Sequence, residues 1–139
     1  MIRLSWLLLF LILSIYSKAQ CKQSFVYECA TKTQGQIFLK EYNAKFTTKT
    51  TQKFKVVLNK GYTYSLRVCN PVDENKGTKL KINTMLTLHD SNFKIIASTT
   101  ETPSFEYICD KTDVYWIQIR PLNPDTQCAV GILSVNKPN

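Results

Sequence analysis

The stretch Tyr62-Thr63-Tyr64-Ser65-Leu66-Arg67-Val68 alternates apolar and polar side chains with a period of two. Successive side chains of an extended chain point to opposite faces, so the pattern predicts a strand buried on one face only. Phe54-Lys55-Val56-Val57-Leu58 precedes it, and Asn59-Lys60-Gly61 between them is turn chemistry with a glycine free to take positive φ. Leu80, Ile82, Leu86 and Leu88 share one parity in the next stretch, and further strands are predicted over residues 94–98, 104–109, 114–120 and 129–135. Turn residues separate them: Asn70-Pro71 with Gly77, Asp90-Ser91-Asn92, Thr102-Pro103, and the segments 110–113 and 121–125. Short strands at this spacing predict an all-β fold, an antiparallel β-sandwich of the jelly-roll kind, over residues 46–139. Residues 20–45 are predicted to form an N-terminal extension packed on the sandwich, with a short helix capped by Ser24 and carrying Phe25, Val26 and Cys29.

The N-terminus changes the compartment. Arg3, the unbroken apolar run from Trp6 to Leu13 and the small residues Ser17 and Ala19 read as a secretory signal over residues 1–19, cut between Ala19 and Gln20. The run is shorter than the roughly 20 residues that a membrane-spanning helix needs. The mature chain is therefore expected to be soluble, and secreted, periplasmic or held in the cell envelope. Its 120 residues suit one domain with a real core. The eighteen Lys and Arg, less Arg3 and Lys18, against ten Asp and Glu leave a net charge of +6. The lysines are scattered, and aromatics do not interleave with them as a nucleic-acid stacking platform requires, so a solvated basic face is the better reading. The expected partner is a protein or a glycan, and not nucleic acid.

All five cysteines, Cys21, Cys29, Cys69, Cys109 and Cys128, lie in the exported part, where they should pair. No C-x-x-C is present. Two intramolecular bridges and one leftover are expected, the leftover being free, lipidated or linked between chains. Cys21 is the candidate for it: a lipoprotein-type cut just before Cys21 would acylate its sulfur and tie the chain to a membrane, although Gln20 is not the small residue such a cut prefers. Strand direction favours Cys69–Cys128 at one end of the sandwich. It leaves Cys109 at the other end for Cys29 or Cys21.

Two places invite chemistry. His89, the only histidine, stands beside Asp90, a pair that can hold a metal or move a proton. Consecutive residues on a strand point to opposite faces, however, so His89 is expected at the surface beside a turn and not in an active site. Trp116, Gln118 and Arg120 alternate with Tyr115, Ile117 and Ile119. A tryptophan beside polar and cationic side chains suits a partner or sugar-binding face, unless the N-terminal segment covers it. With no G-x-S-x-G elbow, no H-E-x-x-H helix and cysteines committed to bridges, no enzyme, no cofactor and no metal are expected.

The "FKVVLNKGYTYSL" hairpin, "MLTLHDSNFKIIAS", and "PSFEYICDKTDVYWIQIRP" followed by "AVGILSV" resemble the bacterial pre-peptidase C-terminal domain, a β-sandwich attached to many secreted peptidases, over residues 52–136. The chain is also similar to small cysteine-containing secreted proteins of Bacteroidota over residues 21–136. The first resemblance implies the sandwich. It implies calcium only where acidic residues flank the "LTLxD" hairpin, and here Asn83-Thr84 and Ser98-Thr99-Thr100 stand in those places. Together these readings predict an exported, non-catalytic binding module; a carbohydrate-binding module using exposed aromatics, an inhibitor and a lipid-anchored envelope component are the alternatives.

Overall fold

A computed structural model describes residues 21, 23–33, 35–47, 50–70 and 83–136. The signal segment and its cleavage point lie outside them, as do the turn expected at Pro71–Gly77 and the predicted strand positions Leu80 and Ile82. The described chain begins with helix α1 (Gln23–Thr31) and continues as eight strands. These are β1 (Gln36–Lys45), β2 (Gln52–Leu58), β3 (Thr63–Cys69), β4 (Thr84–His89), β5 (Ile95–Ser98), β6 (Ser104–Ile108), β7 (Asp113–Pro121) and β8 (Cys128–Asn136).

Two four-stranded antiparallel sheets pack face to face. Sheet 1 has the order β1-β8-β3-β6 and sheet 2 the order β2-β7-β4-β5. Every connection crosses from one sheet to the other except the β4–β5 hairpin, which is the winding of an eight-stranded jelly roll. The expected sandwich is therefore present. Residues 36–45, expected to belong to the extension, instead form β1, which pairs along β8 from Gln36↔Asn136 to Lys45↔Cys128. Only its second half shows the alternation, with Tyr42 and Ala44 buried, which is why the pattern did not announce a strand.

The predicted parities hold where strands are described. Tyr64, Leu66 and Val68 from β3, Leu86 and Leu88 from β4, and Tyr115, Ile117 and Ile119 from β7 meet Ala129, Leu133 and Val135 from β8 in one core. Gly131 lies in the same inward row, opposite Tyr42. A β-carbon there would stand 2.9 Å from Ile119 Cδ1 and 3.2 Å from Leu86 Cδ1, so any larger residue would have to push those side-chain ends aside where the sheets approach closely. Gly61 takes φ +89° in the β2–β3 turn, as its position in Asn59-Lys60-Gly61 predicts.

The outer face of sheet 1 carries a second apolar cluster. Val130 and Ile132 of β8 and Cys69 of β3 pack against Val26 and Cys29 of α1. Disulfides Cys21–Cys128 and Cys29–Cys69 fasten the helical segment to that face. Two bridges and one leftover are thus formed, but with different partners from those expected. Cys69 and Cys128 do lie at the same end of the sandwich, since β3 and β8 are antiparallel neighbours with Cys69 opposite Val130. The N-terminal segment then delivers Cys21 and Cys29 to that end, and each strand cysteine takes one of them. Cys109 sits at the other end with no cysteine to meet and is a free, buried thiol. Cys21 is not the leftover, and its bridged sulfur is not available for a lipid.

Candidate functional site

The β4–β5 hairpin decides the role of His89 and Asp90. The ring of His89 points to the outer face of sheet 2, as its parity requires, yet only 6 % of the residue is exposed. Nε2 lies 2.8 Å from Thr87 Oγ1 and Nδ1 lies 3.0 Å from the carbonyl of Phe93, so both ring nitrogens are engaged. The expectation of a surface histidine is corrected: the turn folds back over the ring and buries it. Asp90 is occupied separately, its Oδ1 accepting from the backbone N–H groups of Asn92 and Lys94 at 2.9 Å each. The carboxylate shapes the turn and does not converge with the imidazole.

That turn also stores backbone strain. Phe93 takes φ +62°, a left-handed conformation that glycine or asparagine adopts readily and a bulky side chain does not. Its ring is stacked on Trp116, with centroids 5.1 Å apart and planes inclined by 26°. Lys53 Nζ lies 5.5 Å from the Phe93 centroid. Nothing in the local pattern signals this partnership: Phe93 is a turn residue, and only the fold brings β7 under the β4–β5 turn.

Around the aromatic pair the outer face of sheet 2 is a regular lattice. Lys55 stands opposite Trp116 and Lys53 opposite Gln118 across β2 and β7. On the other side of β7, His89 faces Trp116, Thr87 faces Gln118 and Met85 faces Arg120. Lys53, Lys55 and Arg120 are exposed, and no Asp or Glu occupies an outward position on these four strands. Trp116, Gln118 and Arg120 thus share one face, and α1 does not cover them because it packs on the opposite sheet. Trp116 is half-buried all the same, shielded by Phe93.

A different cluster closes the end of the sandwich. Cys109 Sγ donates to the Lys111 carbonyl at 3.1 Å, and Tyr115 OH donates to the same carbonyl at 2.8 Å. Tyr107 OH lies 3.2 Å from Tyr115 OH and 3.1 Å from Asp110 Oδ1. Burial raises the pKa of both phenols above the usual tyrosine value, and hydrogen bonding adds to the shift at Tyr115. The arrangement keeps the hydroxyls protonated and ties the β6–β7 turn to the core. Beside it a groove of about 440 Å³ runs between this turn and the β4–β5 hairpin, with Asp90, Asp110, Asp113 and Lys111 among its walls. Lys111 and Asp113 pair at 2.7 Å, which lowers the Asp113 pKa. Among the described residues no group of three or more His, Cys, Asp or Glu is placed to hold a metal ion.

No protein-family model matches the chain, and no curated protein matches it in sequence. The pre-peptidase and Bacteroidota resemblances therefore have no support from sequence comparison, and what the structure shows is the sandwich. Among solved structures, the chain is similar to PliG of Aeromonas hydrophila, a periplasmic lysozyme inhibitor of g-type lysozyme. The TM-score is 0.56 at 11 % identity, over 75 % of this chain and 90 % of PliG. At that identity the likeness is one of fold.

Proposed function

We propose that the chain is an exported, non-catalytic protein-binding module of the periplasm or extracellular space, and that it docks through the outer face of sheet 2. The observation that carries this reading is the strained Phe93 held on Trp116 among Lys53, Lys55 and Arg120, on a face whose outward strand positions hold no carboxylate. Backbone strain persists where the surrounding structure enforces it, and such places are frequent at binding sites. Aromatic and cationic side chains on a rigid sheet have the composition of binding hot spots, and the cations suit an acidic protein surface. Two disulfides support an oxidising compartment. The fold that this chain shares with a periplasmic inhibitor supports an inhibitory mode of action.

A sugar platform is the weaker reading, because stacking needs an open ring face. Phe93 occupies one face of Trp116, and the ammonium of Lys53 approaches Phe93 itself.

The test uses the oxidised mature chain with a purified g-type lysozyme first, reading residual cell-wall lysis and binding by calorimetry. An envelope extract follows, with each captured protein purified and titrated. The expected result is a complex weakened by added salt and lost in the triple variant Lys53→Glu, Lys55→Glu, Arg120→Glu. A complex that the triple variant leaves intact would move the interface to another face. Absence of any partner in both arms would sink the reading.

A further inference from the structure

The outer face of sheet 1 is only partly covered by α1. Beyond the end of the helix lies a pocket of about 320 Å³, walled by Lys32, Gln36, Ser65, Arg67, Ser104 and Glu106 among others. The strand register sets its floor: Ser134, Ser65 and Glu106 lie in one row across β8, β3 and β6, and Ile132, Arg67 and Ser104 in the next. Gln36 and Asn136 pair on the other side of the Ser134 row.

The polar groups here are under-used. Ser134 Oγ and Asn136 Oδ1, on the same strand face beside the walls, are buried and have no hydrogen-bond partner among the described residues. Ser65 is 6 % exposed, lines the pocket, and its hydroxyl has no partner among the described residues. Arg67 is half-buried and donates from Nη2 to Ser104 Oγ at 3.4 Å; no described carboxylate pairs with it. Its burial lowers the guanidinium pKa, the mark of a cation removed from water without a counter-charge. A buried polar group normally has a partner, and a run of groups without one calls for an explanation. On the acceptor side, Glu106 takes one hydrogen bond from Asn136 Nδ2 at 3.1 Å through Oε1, which leaves Oε2 open.

We propose that this pocket binds a carboxylate carried on a ligand that also has an ammonium or amide donor, the chemistry of a peptide C-terminus or a short free peptide. The carboxylate lies on the Arg67 guanidinium, whose planar fork matches it bidentately, with the hydroxyl of Ser65 as a further donor. The N–H groups of the ligand are received by Glu106, whose Oε2 is open. A phosphate would satisfy Arg67 but would face the Glu106 carboxylate, which is why the carboxylate-plus-donor ligand is favoured over a simple anion. The pocket lies on the opposite sheet from Lys53, Lys55 and Arg120, so it is independent of the docking face.

The test is a titration of the ¹⁵N-labelled, oxidised mature chain followed by amide chemical shifts. Triglycine is the probe, with its C-terminal amide, its N-acetyl form and inorganic phosphate as comparisons. Triglycine is expected to move the amides of Ser65, Arg67 and Ser104 saturably, and the C-terminal amide to bind about tenfold more weakly, as loss of a charge-assisted hydrogen bond requires. N-acetylation should weaken binding less. Arg67→Gln should abolish the shifts, Ser65→Ala should weaken them with the fold intact, and Lys53→Glu with Lys55→Glu should leave them unchanged. No shift with triglycine, equal shifts with acid and amide, or binding of phosphate alone would each overturn the proposal.

Discussion

On sheet 1 the outward positions Cys69, Val130 and Ile132 are apolar, and the chain covers them with its own helix and two disulfides. On sheet 2 the equivalent positions hold Lys53, Lys55, Gln118 and Arg120 around Trp116, and only one turn residue, Phe93, folds over them. Both sheets solve the same inner problem, since their inward rows meet in one core. Their outer faces diverge because an apolar outer row must be covered, whereas a cationic one stays in water and is available to a partner.

The largest way to break this difference is to unfasten the helix. Reduction, or the pair Cys29→Ser with Cys69→Ser, should cost about 2–5 kcal/mol per bridge lost, the bridges closing separations of 40 and 107 residues. Urea unfolding with and without reductant measures the loss. Amide exchange should show Val130 and Ile132 deprotected first while the β4–β5 hairpin keeps its protection; equal loss on both sheets would contradict the separate roles of the two faces.

On sheet 2 the corresponding fastening is His89. His89→Ala removes the ring that bridges Thr87 and the Phe93 carbonyl, and should cost about 1–3 kcal/mol with a change in Trp116 fluorescence as Phe93 is released. A silent fluorescence signal would show that the stack holds without the histidine. At Phe93 itself, Phe93→Gly and Phe93→Ala both lose the stack, but glycine relieves the left-handed strain. The glycine variant should therefore be more stable than the alanine variant by about 1 kcal/mol, read from unfolding midpoints.

The inner faces give a paired comparison of similar size. Tyr42 on sheet 1 has a buried hydroxyl without a partner among the described residues, whereas Tyr115 on sheet 2 donates to the Lys111 carbonyl. Tyr42→Phe should be neutral or stabilising by about 1 kcal/mol, and Tyr115→Phe destabilising by about the same. Burial pushes the Tyr42 pKa up to about 12. An unfolded tyrosine gives up its proton near pH 10, so above that pH the unfolded state binds fewer protons than the folded one. Stability should fall as pH rises from about 10 towards the folded pKa, and absorbance titration at high pH should find Tyr42 ionising late. The smallest effect belongs to the charges: Lys55→Gln or Arg120→Gln should change stability by less than about 0.5 kcal/mol while changing the salt dependence of partner binding.

Much of this was legible before folding. The parity of Leu86 and Leu88, of Tyr115, Ile117 and Ile119, and the turn at Gly61 all stand as the alternation predicts. The face shared by Trp116, Gln118 and Arg120 follows from the same parity. What failed, failed where information is not local. The strand β1 is not legible in the sequence, because the first half of Gln36–Lys45 is exposed and carries no alternation. The burial of His89 is not legible in the sequence, because parity gives the face of a side chain and not what folds over it. The cysteine pairing went wrong because strand direction places Cys69 and Cys128 at one end but says nothing of where the N-terminal segment docks.

Local patterning along the chain was enough for a two-faced strand pattern, its turns, and the rows that fill the core, because side-chain alternation and turn chemistry act within a few residues. Tertiary packing settled that every connection but β4–β5 crosses between the sheets, that α1 lies on sheet 1, that Phe93 stacks on Trp116, and that Ser65, Arg67, Ser104 and Glu106 line one pocket. Each of these joins residues far apart in the chain, and such contacts are set by which faces can be buried together once the sheets have formed.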